Sequence, residues 1–515
     1  MAWVNGAPMN LLPAELPAWL ALTIPLALGL GALLVPARAS LRWASHVALV
    51  GGALVLLLGL VAAFAKTAPA SSFVRLDVVT AAMLCLVALL GVVVTRFSET
   101  YLAGEQGLRR YARALLVVLG AVTTLIITSH LAVMAIAWMA TSLALNELLT
   151  FYPDRRPALV AAHKKFILSR LAEVALLVAL GLIGLEAGTL QLDALTHFVE
   201  GQSSLSPMLH AASILIVVCV VLKSAQLPFH GWLTQVMEAP TPVSALLHAG
   251  VVNLGGVVLV RLAPLLTRAA GAMALLVCVG LITVVLAGLV MMTRVSIKLS
   301  LAWSTCAQLG FMLVQCGLGA WHLALLHLVA HSLYKAHAFL SAGTVVETWK
   351  LRAQAPARQP KLAWPLLAVA LVAAGAVFLL FNGAGVVVPL SVSVALAFAP
   401  TLVERGLLLP GLWRLALTLA LGISWHLLAG ALVPTAGAAP NVGVLCLVVT
   451  AGLVCLAMAQ LVMRARPDGV FARFLQPRLF AGFFLDEYFT RLTFRLWPPQ
   501  FPATSTATLT TAEAR

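Results

Sequence analysis

The chain has 515 residues, 62% of them hydrophobic and only 10% charged, with a mean hydropathy of +1.04. A soluble domain carries about 25% charged residues, so composition excludes a soluble globular protein and points to a polytopic membrane protein. The formal charge of +15 would suit a nucleic-acid binder, but the placement of the charges along the chain argues against one.

A bilayer core of about 30 Å takes about 20 apolar residues as helix. On that measure the sequence predicts an all-α polytopic membrane protein with about fifteen transmembrane helices. The first runs, near 16–36, 43–65 and 74–95, carry few polar groups at membrane depth, and residues 1–110 read as N-terminal scaffold. No cleavable signal peptide is evident before them, because the first run is already of full length.

Residues 111–361 hold eight predicted spans and nearly all the ionisable groups at membrane depth. The runs at 112–129 and 131–152 come first. Glu147 lies near the inner end of the second, beside Asn146 and with no cation near it in sequence before Arg155. It suits a carboxylate at the mouth of an ion path as well as an ordinary interfacial one. In the run 166–186, Arg170 and Glu173 are three residues apart and close enough to pair. Mutual neutralisation is the simpler account of them.

The run 208–227 contains Lys223, after about ten apolar residues and shortly before Pro228. An ammonium at bilayer depth costs roughly 2.5–3.5 kcal/mol on insertion scales. Either its head reaches the interface along its stem, or it stays at depth as a group that gains and loses a proton. Its position favours the second. Pro228, Pro240 and Pro242 bracket a loop without Lys or Arg, and proline interrupts helical hydrogen bonding. A broken helix near residue 228, followed by a re-entrant or interfacial piece, is therefore expected, and such breaks in transporters mark ion paths.

The run 241–262 carries His248 alone on an apolar helix, a pattern shared by buried structural histidines. Asn253 and the Gly255–Gly256 pair follow, and the glycines would let another helix approach closely. Runs at 269–292 and 300–318 come next, with Arg294 and Lys298 explained by snorkelling. In 321–344, His327, His331 and Lys335 recur every fourth residue and align along one stripe. Imidazoles so spaced suit a proton relay, structural hydrogen bonds, or a metal site; no carboxylate or cysteine lies nearby in sequence to complete the last.

The runs 362–381, 383–401, 411–431 and 440–463 are almost purely apolar, so residues 362–463 form a further transmembrane region, followed by a basic, aromatic tail over 464–515. The cysteines Cys85, Cys219, Cys278, Cys306, Cys316, Cys446 and Cys455 all fall in predicted spans without a C-x-x-C pair. They suggest neither a metal centre nor a disulfide scaffold, and no cofactor is expected in this chain.

With the N-terminus outside, the outer loops keep only Lys66, Arg75, Arg261 and Arg268, while the remaining loops and the tail hold most of the Arg and Lys. That is a positive-inside pattern. It predicts a multi-pass protein of the bacterial cytoplasmic (inner) membrane with a cytoplasmic C-terminus, its basicity a mark of topology rather than a nucleic-acid surface.

Several stretches together resemble the proton-conducting membrane transporter family, which includes the antiporter-like subunits of respiratory complex I, of membrane-bound hydrogenases and of Mrp cation/proton antiporters. The resemblance covers roughly residues 70–350. It rests on Lys223-Ser224-Ala225-Gln226-Leu227-Pro228, Trp232-Leu233, the run Ala239 to Ala249, Ser304 to Gly310, and His327 to Lys335. It implies an antiporter-like core in which Lys223 relays ions from a broken helix. His248, His327, His331 and Lys335 would continue the path, and Arg170/Glu173 match a charged pair of the family. The chain departs from the pattern twice. The family's Trp-Glu pair is Trp138-Met139 here, and Glu147, the nearest carboxylate, is displaced by about 12 Å along the helix and about 80° around it. No late broken helix with its own charge is evident after residue 361.

The tail, from Ala481 to Thr493 and then Leu496-Trp497-Pro498, is similar to that of membrane subunits of the DAB inorganic-carbon accumulation systems. That branch implies a cytoplasmic, DabA-like partner, a zinc protein similar to β-carbonic anhydrases. Asp486, Glu487, Tyr488, Arg491 and Trp497 would then dock the partner, since aromatics and Arg are enriched at interfaces. The same composition suits a helix lying on the inner leaflet. The expectation is a transporter subunit, not itself an enzyme, that moves H+ or Na+ and couples it to carbon uptake. An Mrp-type sodium/proton antiporter subunit and a proton-pumping subunit of a complex I-like oxidoreductase or hydrogenase are the alternatives.

Overall fold

A chain in hydrocarbon has no water to satisfy its amides, so apolar runs become helices. The computed structural model describes residues 16–65, 73–344, 420, 424 and 442–498. Among them there is no strand, only the isolated bridges Val74–Thr128 and His130–Gln191. The helices are α1 (Leu16–Leu33), α2 (Ser40–Ala65), α3 (Val78–Tyr101), α4 (Leu108–Ile127), α5 (Leu131–Leu149) and α6 (Arg156–Ala187). They continue as α7 (Leu192–Glu200), α8 (Pro207–Lys223), α9 (Gly231–Gln235), α10 (Thr241–Ala249), α11 (Leu254–Arg261) and α12 (Ala263–Thr267). The last six are α13 (Ala270–Val290), α14 (Ile297–Gly317), α15 (Trp321–Leu340), α16 (Val442–Ala465), α17 (Val470–Phe480) and α18 (Leu485–Leu496).

Among the described residues, nine spans are long and apolar enough to cross a membrane. The runs expected at 362–381 and 383–401 lie outside the described residues, as does 411–431 apart from the helical residues 420 and 424. α15 covers the run expected at 321–344 but is not among the nine, because His322, His327, His331, Lys335 and His337 dilute its hydropathy.

The sequence announces one break, though not to the residue, and misses another. α8 ends at Lys223 rather than beside Pro228: Ser224 caps it by donating to the Val220 carbonyl at 2.7 Å, and Ala225 turns left-handed at φ +51°. The freed Leu227 amide donates to Thr283 Oγ1 at 3.3 Å, so a neighbouring helix satisfies what the proline interrupts. The run expected as one span at 241–262 is kinked. α10 stops at Gly250, a 3-10 turn follows over Val251–Asn253, and α11 resumes. The Gly255–Gly256 pair does allow close approach. A Cβ on Gly255 would stand 2.8 Å from Val220 of α8, and one on Gly256 2.4 Å from Met312 of α14.

α6 has 32 residues, about 48 Å of helix, and therefore outruns the hydrocarbon core. Its early turns carry Lys164 and Lys165, both buried, because α9 and the C-terminal segment cover that end.

Candidate functional site

Lys223 sits at the last helical position of α8, with its side chain 6% exposed. Its Nζ donates to Glu173 Oε1 at 3.1 Å and stands 4.7 Å from the centre of the Trp138 ring. Glu173, 4% exposed, also accepts from Arg170 Nη2 at 2.9 Å. The simpler account of Arg170 and Glu173 is thus incomplete: one carboxylate stands between two cations, Arg170 on its own helix and Lys223 on the next. The family's glutamate is absent at Met139, and Glu173 supplies the carboxylate that Lys223 contacts.

A cavity of about 20 Å³ adjoins this pair, lined by Trp138, Ser142, Lys165, Lys223 and Trp232 among others. That is room for about one water molecule. Lys165 Nζ donates to the carbonyl and to the hydroxyl of Ser142, the latter at 3.1 Å, and among the described residues no carboxylate forms an ion pair with it. The buried Trp232 Nε1 has no partner among the described residues. Sequence reading missed Lys165, which stands one residue before the run predicted at 166–186; α6 starts at Arg156 and carries it in its third turn.

The remaining expected groups lie along α10, α14 and α15. His248 Nδ1 shares a hydrogen bond with Thr305 Oγ1 at 3.1 Å, and its ring stacks on Phe339 at 4.4 Å. His327 Nδ1 lies 2.9 Å from Gln315 Oε1, and its ring centre is 6.1 Å from that of His331. His331 is buried, with neither ring nitrogen hydrogen-bonded among the described residues. Lys335 Nζ donates to the Leu301 carbonyl at 2.9 Å and to Ser304 Oγ. Asn253 and Ser332 join between these helices at 2.8 Å. Among the described residues, no group of three or more His, Cys, Asp or Glu side chains is placed to hold a metal ion.

Glu147 is elsewhere. It pairs with Arg110 Nε at 2.5 Å, each side chain 50% exposed; its cation comes from α4, which sequence proximity could not reveal. Lys298 and Arg294 do more than snorkel. Lys298 Nζ donates to Thr241 Oγ1 at 2.8 Å, and Arg294 Nη2 donates to the Leu479 carbonyl at 2.9 Å. In the tail, Asp486 meets Lys164 and Gln235 of the same chain, and the Trp497 carbonyl lies 2.8 Å from His163 Nε2. Glu487, Tyr488 and Arg491 face outward.

Stacked membrane helices, two of them interrupted, around a buried lysine–carboxylate pair and a row of histidines define an antiporter-like class of membrane subunit. Residues 128–399 match the family described as "NADH:quinone oxidoreductase/Mrp antiporter, TM", and the chain belongs to that family. It is 40% identical over 517 residues to the "Probable inorganic carbon transporter subunit DabB" of Hydrogenovibrio crunogenus, covering 98% of this chain and 96% of that protein. A probable inorganic carbon transporter subunit of Halothiobacillus neapolitanus is 48% identical over 274 residues, which span 53% of this chain and only 50% of the other. The fold is similar to that in the structure of the Mrp complex from Dietzia sp., with a TM-score of 0.56 at 23% identity, covering 94% of this chain and 58% of that one.

Proposed function

We propose that this chain is the cation-translocating subunit, H+ being the favoured ion, of a two-component inorganic-carbon accumulation complex. The names of the relatives from Hydrogenovibrio crunogenus and Halothiobacillus neapolitanus support the carbon branch. The observation that carries the translocating role is Glu173 held between Arg170 and Lys223, beside a cavity that Lys165 also lines. When Glu173 leans to Arg170, Lys223 loses its counter-charge and releases a proton; when it returns, the lysine takes one up. His248, His331, His327 and Lys335 then carry the ion along α10 and α15. Glu147, half-exposed and paired with Arg110, is in this reading an entry-side carboxylate.

In this reading the chain lies in the bacterial cytoplasmic membrane with its N-terminus outside and its C-terminus inside. Residues 111–361 are the translocating unit, residues 1–110 and 362–463 flank it, and residues 464–515 face a cytoplasmic, zinc-containing, β-carbonic-anhydrase-like partner. The outward residues Glu487, Tyr488 and Arg491 meet that partner. One charge crossing 100 mV releases about 2.3 kcal/mol, enough to bias hydration or accumulation in the partner.

The test is co-expression with the partner in cells that need added bicarbonate to grow. Lys223→Ala is expected to abolish uptake and rescue, and full uptake by that variant would sink the relay. A second reading, an Mrp-type sodium/proton antiporter subunit, draws on the fold likeness alone; it predicts rescue of salt sensitivity with no carbon phenotype.

A further inference from the structure

The C-terminal segment packs onto residues adjacent in sequence to those that line the lysine cavity. Asp486, in the first turn of α18, enters the cleft between α6 and α9. Its Oδ1 accepts from Lys164 Nζ at 2.8 Å and its Oδ2 accepts from Gln235 Nε2 at 2.7 Å. The Lys164 side chain is 0% exposed and the carboxylate 19%. Gly231 makes the room, since a Cβ there would lie 1.4 Å from Asp486 Oδ1. Phe489 against Phe229 at 5.6 Å keeps the segment seated, as do the Trp497 contact with His163 and the Arg294 contact with Leu479.

Two pairs of adjacent residues form the wall between Asp486 and the cavity. Lys164 and Gly231 meet the carboxylate, whereas Lys165 and Trp232 line the space beside Lys223. A buried ammonium needs a counter-charge, and the tail supplies it to Lys164 from 322 positions away. His230, in the same wall, turns its ring onto Trp303 at 4.6 Å.

We infer that the Lys164–Asp486 pair is the mouth of the ion path on the tail's side, so that the C-terminal helix supplies a positioning residue for transport. The inference rests on the reading of Lys223 as a relay. Asp486 acts through Lys164. Seated, it holds the lysine and the Gly231–Trp232 turn against the cavity; withdrawn, it leaves both open to water.

The experiment uses the full chain with its partner in cells and follows radiolabelled bicarbonate uptake per assembled complex, alongside the amount of complex and the partner retained. Asp486→Asn keeps shape and removes charge; it is expected to cut uptake per complex at least tenfold without lowering the amount assembled. Asp486→Glu should restore a substantial part. Gly231→Ala displaces the carboxylate while keeping every charge, should also cut uptake at least tenfold, and decides the matter if the Asn variant does not assemble. Wild-type uptake per complex in both variants overturns the inference. So does a fall in assembled complex with uptake per complex unchanged, the mark of a latch that only stabilises. Lys223→Ala, measured in parallel, separates the two claims: uptake retained there refutes the relay, whereas uptake retained only in the Asp486 and Gly231 variants refutes the mouth.

Discussion

Lys223 has unlike neighbours: Glu173 at 3.1 Å, and Lys165 lining the cavity beside it. Breaking one partner of a buried ion pair leaves an uncompensated charge and costs about 3–5 kcal/mol. Glu173→Gln strands two cations, Arg170 and Lys223, so it is expected to lower stability by about that amount, read as loss of thermal resistance of the purified protein, and to stop uptake as well. A variant as stable and active as the parent would show that the carboxylate is dispensable. The lysine and the histidines were legible in the sequence because charge within an apolar run is conspicuous. The partnership was not, since Lys223 and Glu173 are 50 residues apart and the i,i+3 neighbour Arg170 offered a complete local explanation. Lys165 and Asp486 were hidden for the same reason: both contacts close over sequence distances that local spacing does not report.

At the scale of elements, the proposed path depends on where two helices stop. The prolines announced the first break, but the chain stops at Lys223 because Ser224 caps α8 and Ala225 turns out of it. The break at Gly250 was unannounced, for a single glycine in an apolar run reads as tolerable within a span. Short α7 and α12 escaped notice because they fill connections rather than cross the bilayer. The position of α11 against α8 is set at Gly255, where a side chain would meet Val220. Gly255→Val is expected to force the helices apart and cost about 1–3 kcal/mol, measured as a lower unfolding temperature. An unchanged temperature would mean that the contact carries no packing load.

For the whole molecule, residues from distant parts of the chain meet at the two ends of α3. α3 runs from Asp77 at one end to Tyr101 at the other, and Arg75, Asp193 and Arg261 gather around Asp77, while Lys298 meets Thr241 beside Tyr101. Burial would raise the Asp77 carboxyl, but Arg261, the Thr80 amide and Arg75 outweigh it and hold the group below the usual carboxylate range. A carboxyl lowered in the folded state stabilises fully above its unfolded value near 3.9. That contribution fades as pH falls through the folded value. Asp77→Asn should therefore unfold at a lower temperature than the parent at pH 6, the gap closing as the pH drops below about 4. A gap that stays constant with pH would contradict this. The fold class was legible from hydropathy alone, whereas the return of the tail onto α6 and α9 was not, because its aromatic and basic composition suits several surfaces equally.

The relay at Lys223 is tested most directly by reconstituting the complex of this chain and its partner in sealed vesicles carrying an internal pH dye, with an inward proton gradient imposed. Proton entry and labelled bicarbonate accumulation should rise together in the parent complex, and both should be lost in Lys223→Ala at equal protein content. Accumulation that continues unchanged in that variant, or proceeds without any proton entry in the parent, would contradict the account.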